Sequence, residues 1–172
     1  MKENLKIFDQ FLNSRELSFE AVIIGGAALL VLGIIDRATR DVDCLTPHIP
    51  NVIKSASIEF AKQVGLDSEW LNNGPESLQD DLPPGWKDRA ELIYKGEALT
   101  LHTLGRIDLL RSKLYAYCDR QQDLQDCIAM APSQHELQTI KPWLCTRDAN
   151  PLWEEHVETS LKYLIQKLHH DS

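Results

Sequence analysis

The sequence of 172 residues has few cysteines and no long hydrophobic run. Its four cysteines are widely spaced and include no C-x-x-C pair, which argues against a zinc site or a disulfide framework and favours reduced, buried thiols. The longest apolar stretch, Ala21 to Ile35, has fifteen residues, whereas a membrane-spanning helix needs about 20. That stretch begins late and follows several acidic side chains, unlike a secretion signal, so we expect a cytoplasmic protein with no membrane partner.

The sequence also lacks an excess of basic residues. It has 18 Lys and Arg against 26 Asp and Glu, a formal net charge of -8, which opposes non-specific binding to nucleic acid or to an anionic membrane surface. Apolar residues at 43% and charged residues at 26% are typical of a globular chain. At this length we expect one compact domain, with an α/β core over residues 1–104 and a helical part over residues 105–172 packed on that core.

Hydrophobic periodicity predicts an α/β (α+β) fold, in which a small mixed sheet is flanked by helices and followed by a helical C-terminal half. Strands are predicted over residues 21–24, 41–45, 91–94 and 98–102, the last two as a hairpin. Helices are predicted over residues 4–13, 27–35, 50–64, 105–119 and 122–131, and two more begin at a capping box after Pro132 and at Asn150. Residues 72–88, rich in Asn, Gly and Pro, are predicted to form one long loop that is a candidate lid.

A pair of glycines separates the first predicted strand from the helix that follows. The bare backbone amides of Gly25 and Gly26 at a helix N-terminus would form a cradle for phosphate, because unsatisfied N–H groups and the helix dipole both favour an anion. The alternative is that the two glycines only permit a tight turn.

Two carboxylates lie on the second predicted strand. Side chains at positions i and i+2 of a strand point to the same face, so Asp41 and Asp43 would converge on one hard cation such as Mg²⁺. Arg37, Thr39 and Arg40 precede them and add cationic and hydroxyl groups suited to a polyphosphate. The alternative is a solvated edge strand.

A lysine falls within the apolar stripe of the predicted helix over residues 105–119. Lys113 either extends to the rim of the core or reaches into a cleft. Arg120, Asp123 and Asp126 follow at intervals of three, which we interpret as an acid and base cluster along one helix face next to Lys113. The alternative is an exposed ladder of salt bridges.

Taken together, these segments resemble a known enzyme superfamily. Val22-Ile23-Ile24-Gly25-Gly26-x-Ala28, followed by Arg37-x-Thr39-x-Asp41-Val42-Asp43, resembles the opening of minimal bacterial nucleotidyltransferases of the polymerase-β-like superfamily, related to AbiEii-type abortive-infection toxins. Gly65-Leu66 with Trp70-Leu71-Asn72 is similar to an uncharacterised branch of that group, and residues 108–126 resemble its C-terminal signature. The similar segments extend from about residue 20 to residue 128.

The resemblance implies a nucleotidyltransferase fold and the transfer of a nucleoside monophosphate from a nucleoside triphosphate to a hydroxyl acceptor. The Gly25-Gly26 turn would hold the triphosphate, assisted by Arg37 and Thr39. Asp41 and Asp43 would hold Mg²⁺, as one ion or as a two-metal site that stabilises the attacking and leaving oxygens.

The resemblance also implies roles for side chains in the helical part. Lys113 would neutralise phosphate charge, and Asp126, or in second place Asp123, would orient that lysine or the acceptor. Fully equipped members carry a third acid on a neighbouring strand. The predicted strand over residues 98–102 has no acid, and neither Glu91 nor Glu97 can be assigned to the site.

Two functions stay open on these grounds. The first is a Mg²⁺-dependent nucleotidyltransferase, the toxin of a toxin-antitoxin or phage-defence pair, with an antitoxin protein as partner. Its acceptor would be a protein, a small molecule or tRNA, and the lack of a basic patch favours the first two. The alternative is a catalytically degenerate protein of the same fold that serves as a nucleotide-binding or protein-interaction module.

Overall fold

A computed structural model describes residues 1–170 of the chain. The helices are α1 (Lys2–Asn13), α2 (Gly25–Leu32), α3 (Asn51–Val64), α4 (Leu78–Asp81), α5 (Arg106–Arg120), α6 (Leu124–Ala129), α7 (Gln134–Cys145) and α8 (Trp153–His170). The strands are β1 (Phe19–Ile24), β2 (Val42–Thr46), β3 (Leu71–Asn72), β4 (Glu91–Lys95) and β5 (Leu99–Thr103). Within the described residues, none of the helices combines the length and the hydropathy of a membrane span.

The strands form one mixed sheet in the order β3-β2-β1-β5-β4. β1 pairs antiparallel with β2 and parallel with β5. Of the two outer strands, β3 is parallel to β2, and β4 is antiparallel to β5. This mixed sheet, with a C-terminal half made of helices, confirms the predicted α/β fold class. The chain divides into two compact units, residues 1–105 and the residues from Arg106 onward.

Aromatic packing organises the core of the first unit. Leu5, Phe8 and Leu12 recur at helical spacing on α1 and are all buried. The Phe8 ring lies 5.1 Å from the rings of both Phe60 and Trp70, and the Trp70 indole donates a hydrogen bond of 3.1 Å to the Ser57 carbonyl. Burial of such side chains contributes about 1.5–3 kcal/mol each, so α1 and α3 are held by this cluster.

In the second unit, the caps before α7 and α8 lie at the residues where the sequence predicts them. The Ser133 hydroxyl accepts from the Glu136 amide at 3.2 Å, and the Ser133 amide donates to Glu136 Oε2 at 2.8 Å, which confirms the predicted capping box. Pro142 lies inside α7, which continues to Cys145, so this proline does not end the helix. The Asn150 side chain accepts from the Leu152 amide at 3.0 Å, immediately before α8.

The elements around the two glycines differ from the prediction by one to three residues. α2 begins at Gly25 rather than Ala27 and ends at Leu32, where Gly33 adopts a left-handed φ of 76°. The low helix propensity of glycine places a predicted start after the pair, whereas here the chain turns into the helix directly from β1. β2 begins at Val42 rather than Asp41, since its pairing with β3 begins at that residue.

The segment over residues 72–88 is not one irregular loop. It contains the short helix α4, and it buries Trp86, whose indole donates to the Gln79 carbonyl at 3.2 Å. The two-residue strand β3 overlaps the first residue of this segment, and the sequence does not predict it because two residues carry no periodicity. The helix predicted over residues 122–131 is also shorter, covering Leu124–Ala129.

Candidate functional site

The turn from β1 into α2 lies beside the start of β2. Ile24, the last residue of β1, pairs with Asp43 of β2, and α2 begins at the next residue with no side-chain hydrogen bond capping it. The first N–H groups of a helix have no partner within the helix. The sheet register therefore places the Asp43 carboxylate next to the N-terminus of α2, whose N-cap residue Ile24 supplies no side-chain cap.

The absence of a side chain at Gly25 makes room for that carboxylate. Gly25 has a φ of +75°, and a Cβ built on it would lie 2.5 Å from Asp43 Oδ2. Such a distance is shorter than van der Waals contact allows, so a side chain here would displace the Asp43 carboxylate, and the positive φ itself favours glycine. The structure thus brings Gly25 and Asp43 together.

A different pair of side chains lies against Gly26. A Cβ on Gly26 would lie 2.8 Å from Thr39 Cγ2 and 3.7 Å from Arg37 Nη2. Arg37 is exposed and Thr39 is half-buried. The Thr39 hydroxyl oxygen itself is buried and finds no hydrogen-bond partner among the described residues, a condition that costs about 1–3 kcal/mol for a polar group.

Asp41 lies at the exposed end of the same segment. It precedes β2, and Val42 between the two acids is fully buried. Because side chains of an extended chain alternate between faces, Asp41 and Asp43 lie on the side opposite Val42. Asn72 of β3 pairs with Asp43, a neighbour that the sequence pattern did not indicate.

The acids on the other strands lie away from this pair, and Glu20 of β1 is paired with His102 of β5 at 2.9 Å. Thr103 of β5 is paired with Ile23, and its hydroxyl donates to the Ile23 carbonyl at 2.7 Å. Glu91 lies beyond it on β4, three strand spacings from β2, or about 14 Å. Glu97 accepts from Asn13 at 2.6 Å, beyond the other end of β4. Within residues 1–170 no group of three His, Cys, Asp or Glu side chains is placed to hold a metal ion.

Two carboxylates are nevertheless a donor set that suits Mg²⁺. This ion is commonly bound by one or two carboxylates, with waters and substrate phosphates completing the shell. Asp41 and Asp43 supply carboxylates of this kind, and the N-terminal amides of α2 are suited to the phosphates. The residues present therefore fit a magnesium ion that arrives with a nucleotide.

The second unit holds the other predicted site residues as a buried ion cluster. Lys113 Nζ lies 2.7 Å from Asp126 Oδ2 and 3.1 Å from Asp123 Oδ1. The side chains of Lys113 and Asp126 are only 6% and 1% exposed, so an exposed ladder of salt bridges does not describe this pair. Lys113 is already neutralised by protein carboxylates.

The predicted arrangement of the acids along one helix face is wrong. α5 ends at Arg120, and the chain then turns through Gln121 and Asp123, with φ values of 54° and 61°. Asp126 lies in the first turn of α6. The cluster is therefore made by a turn between two helices, which the spacing by threes did not indicate.

Three cysteines lie in the core, and one of these, Cys127, interacts electrostatically with Lys113, Asp123 and Asp126. Cys44, Cys118 and Cys127 are buried and Cys145 is half-buried, which confirms core positions for three of them. Burial raises the pKa of Cys44 to about 12 and that of Cys118 to about 12. Thiols that stay protonated at neutral pH are poor nucleophiles.

Comparison with known proteins gives one family. A family model described as "Nucleotidyltransferase of unknown function (DUF6036)" matches residues 3–136. No curated protein and no solved structure matches the chain significantly. The matched region includes the Gly25-Gly26 turn, Asp41 and Asp43. It also includes the buried ion cluster of the second unit.

Proposed function

The chain belongs to this family of nucleotidyltransferases, and from that membership we propose that it transfers a nucleoside monophosphate from a nucleoside triphosphate to a hydroxyl acceptor in a Mg²⁺-dependent reaction. The observation that carries the proposal is the closeness of Asp43 to Gly25, which puts a carboxylate beside the N-terminus of α2. A carboxylate and a phosphate site side by side are what a metal-bound triphosphate requires.

The phosphates would lie on the N-terminus of α2. Its N-cap residue, Ile24, supplies no side-chain cap, and the positive end of the helix dipole favours an anion. Gly25 and Gly26 allow the ligand to approach the backbone, while Arg37 and Thr39 lie at their side. In this proposal the four residues hold and orient the triphosphate.

Asp41 and Asp43 would hold the magnesium ion. When bound there, the ion would polarise phosphate oxygens and offset their charge. The chain's own task is to keep the two carboxylates aligned next to the turn. For Lys113 and Asp126 the resemblance predicts roles in phosphate neutralisation and in orientation, and their 2.7 Å ion pair supports Asp126 as the residue that orients Lys113.

We further propose a protein or small-molecule acceptor and a role as the toxin of a two-protein system with an antitoxin partner, in line with the AbiEii-type resemblance. The formal charge of -8 supports an acceptor other than tRNA. Induced expression of the wild type should arrest bacterial growth, while the Asp41→Asn/Asp43→Asn variant at equal abundance should not. Equal growth of both cultures would refute the toxin role.

The transfer itself is tested with nucleotides labelled on the α-phosphate. Purified protein, Mg²⁺ and each of ATP, GTP, CTP and UTP are incubated with a bacterial lysate, then with its protein, RNA and small-molecule fractions. We expect label in one fraction with one nucleotide, and none with the Asp41→Asn/Asp43→Asn variant. Binding of nucleotide without label in any fraction would favour the alternative, a nucleotide-binding module without turnover.

A further inference from the structure

Arg111 on α5 is paired with a buried carboxylate through only one of its nitrogen atoms. Its Nη1 donates a hydrogen bond of 2.5 Å to Asp108 Oδ1, and the Asp108 side chain is fully buried. The Arg111 Nε atom is also buried, but it has no hydrogen-bond partner within residues 1–170. An unpaired buried donor costs free energy and is rare in native proteins. Asp108 therefore neutralises the charge of Arg111 and leaves its Nε–H group unpaired.

The unpaired edge of the Arg111 guanidinium has the geometry of an oxyanion site. A guanidinium is planar, and its N–H groups form a rigid fork that matches two oxygens of a carboxylate or a phosphate. Nε and Nη2 each carry an N–H group on the same edge, which the bond from Nη1 to Asp108 does not use. The Arg111 side chain is 12% exposed, so it lies at the surface of the second unit rather than deep in its core.

Two aromatic rings lie along α5 and α7 beyond Arg111. Tyr115 is four residues further on α5, about 6 Å along the helix axis, and residues at this spacing are neighbours on a helix surface. Its ring packs edge-on against the Trp143 ring of α7, with centroids 6.1 Å apart and planes at 80°. Arg147 Cζ lies 4.9 Å from the centroid of the Trp143 ring. All four side chains are half-buried.

A guanidinium edge followed by aromatic rings is a combination suited to a ligand with an anionic end and a flat body. Trp, Tyr and Arg are the side chains that most often dominate binding energy at recognition sites. Aromatic rings offer apolar surface to planar groups, and charged hydrogen bonds from a guanidinium fork orient an oxyanion. The second guanidinium, at Arg147, adds positive charge to the same group of side chains.

We infer that Arg111, Tyr115 and Trp143 form a binding site for an oxyanion carried on a planar ring, either a carboxylate or a phosphate ester. Nε and Nη2 of Arg111 donate to two oxygens of the anion, and the ring of the ligand packs against the two aromatic side chains. None of these residues belongs to the proposed nucleotide site, so the inference does not rest on the proposed function.

Titrations of the full wild-type chain, followed by the arginine Nε–H signals in proton–nitrogen NMR spectra, test the site without any variant. The probes are phenyl phosphate and benzoate, each compared with a partner that lacks the ring, methyl phosphate and acetate. The Arg111 Nε–H signal should shift on binding, and the probe with the ring should have the lower Kd in each pair. Tighter binding of phenyl phosphate than of benzoate would identify a phosphate ester as the ligand, and the reverse order a carboxylate.

Three variants assign the binding to these side chains. Arg111→Lys keeps the positive charge beside Asp108 but lacks the planar fork, so it should weaken binding about tenfold through the loss of a charged hydrogen bond. Trp143→Leu should remove the difference in Kd between phenyl phosphate and methyl phosphate. Arg120→Gln, which removes an exposed charge from the same helix, should bind like the wild type.

The inference is overturned by any of three results. The first is an Arg111 Nε–H signal in the wild type that shifts with neither phenyl phosphate nor benzoate, a result that stands even where a variant fails to fold. The second is equal Kd values for the probes with and without the ring. The third is equal binding by the wild type and folded Arg111→Lys.

Discussion

The Asp43 carboxylate lies so close to Gly25 that a Cβ on that glycine would come within 2.5 Å of Asp43 Oδ2. Neither residue is near the other in sequence, and the pairing of Ile24 with Asp43 brings them together. The contact joins the two features that a nucleotide and its metal ion would each require. The first prediction follows from it.

Gly25→Ala should weaken the binding of magnesium nucleotide at least tenfold. The new methyl group would displace the carboxylate, and alanine at a φ of +75° costs about 1–2 kcal/mol of stability. Gly33→Ala is the matched control, because Gly33 has a φ of +76° and nothing within 4 Å of its Cβ position. Calorimetry and urea unfolding should show similar destabilisation in both variants and lost binding only in Gly25→Ala. Equal binding in the two would contradict the role of the turn.

Lys113→Met should destabilise the protein by about 3–5 kcal/mol, because it leaves the Asp126 carboxylate buried without the lysine cation. Arg120→Gln is the control, since Arg120 is 58% exposed and 3.7 Å from Asp123, and it should cost less than about 0.5 kcal/mol. Urea unfolding measures both. A loss below about 1 kcal/mol in Lys113→Met would show that the ion pair is not a structural element.

Stability should fall in acid partly through Glu136. The Arg106 side chain, with the Ser133 amide and hydroxyl, lowers the pKa of Glu136 from 4.5 to about 2. Because the folded pKa is depressed, the contribution is present above pH 4.5 and is lost as the pH falls towards 2. Since Arg106 is 49% exposed, we expect about 1–2 kcal/mol rather than the full shift.

Urea unfolding between pH 6 and pH 2.5 checks this contribution. Glu136→Gln should be less stable than the wild type at pH 6, and the difference should shrink steadily below pH 4.5. A difference that stays constant over the whole range would contradict the assignment, because a neutral glutamine cannot lose an ionic contribution.

Local signals predicted the parts of the fold that depend on neighbouring residues. The apolar run before Gly25 gave β1, and Ser133 with Glu136 three residues later gave the cap of α7. Such patterns involve only a few consecutive residues, so they can be interpreted without knowledge of the rest of the chain.

Contacts between distant segments could not be predicted in this way. Asp9 lies on the amphipathic helix α1, where an acid is ordinarily a solvated residue, yet its carboxylate accepts from the amides of Ala98 and Leu99 at 2.8 and 2.7 Å. Burial raises the pKa of Asp9, but these backbone hydrogen bonds outweigh it and lower the pKa overall. The candidate site is a further example. The residue pattern indicated the glycines and the aspartates, but only the register of β1 and β2 shows that Gly25 lies beside Asp43.

The most direct test of the account is thermal unfolding with Mg²⁺ and each of ATP, GTP, CTP and UTP, on the wild type and on Asp41→Asn/Asp43→Asn. A ligand at about a hundredfold above its Kd adds about 2.7 kcal/mol, or about 5 to 10 °C in Tm for a chain of this size. We predict a rise of that order with one nucleotide in the wild type and no rise in the variant. No rise with any nucleotide, or an equal rise in both proteins, would contradict a metal-bound triphosphate at Gly25 and Asp43.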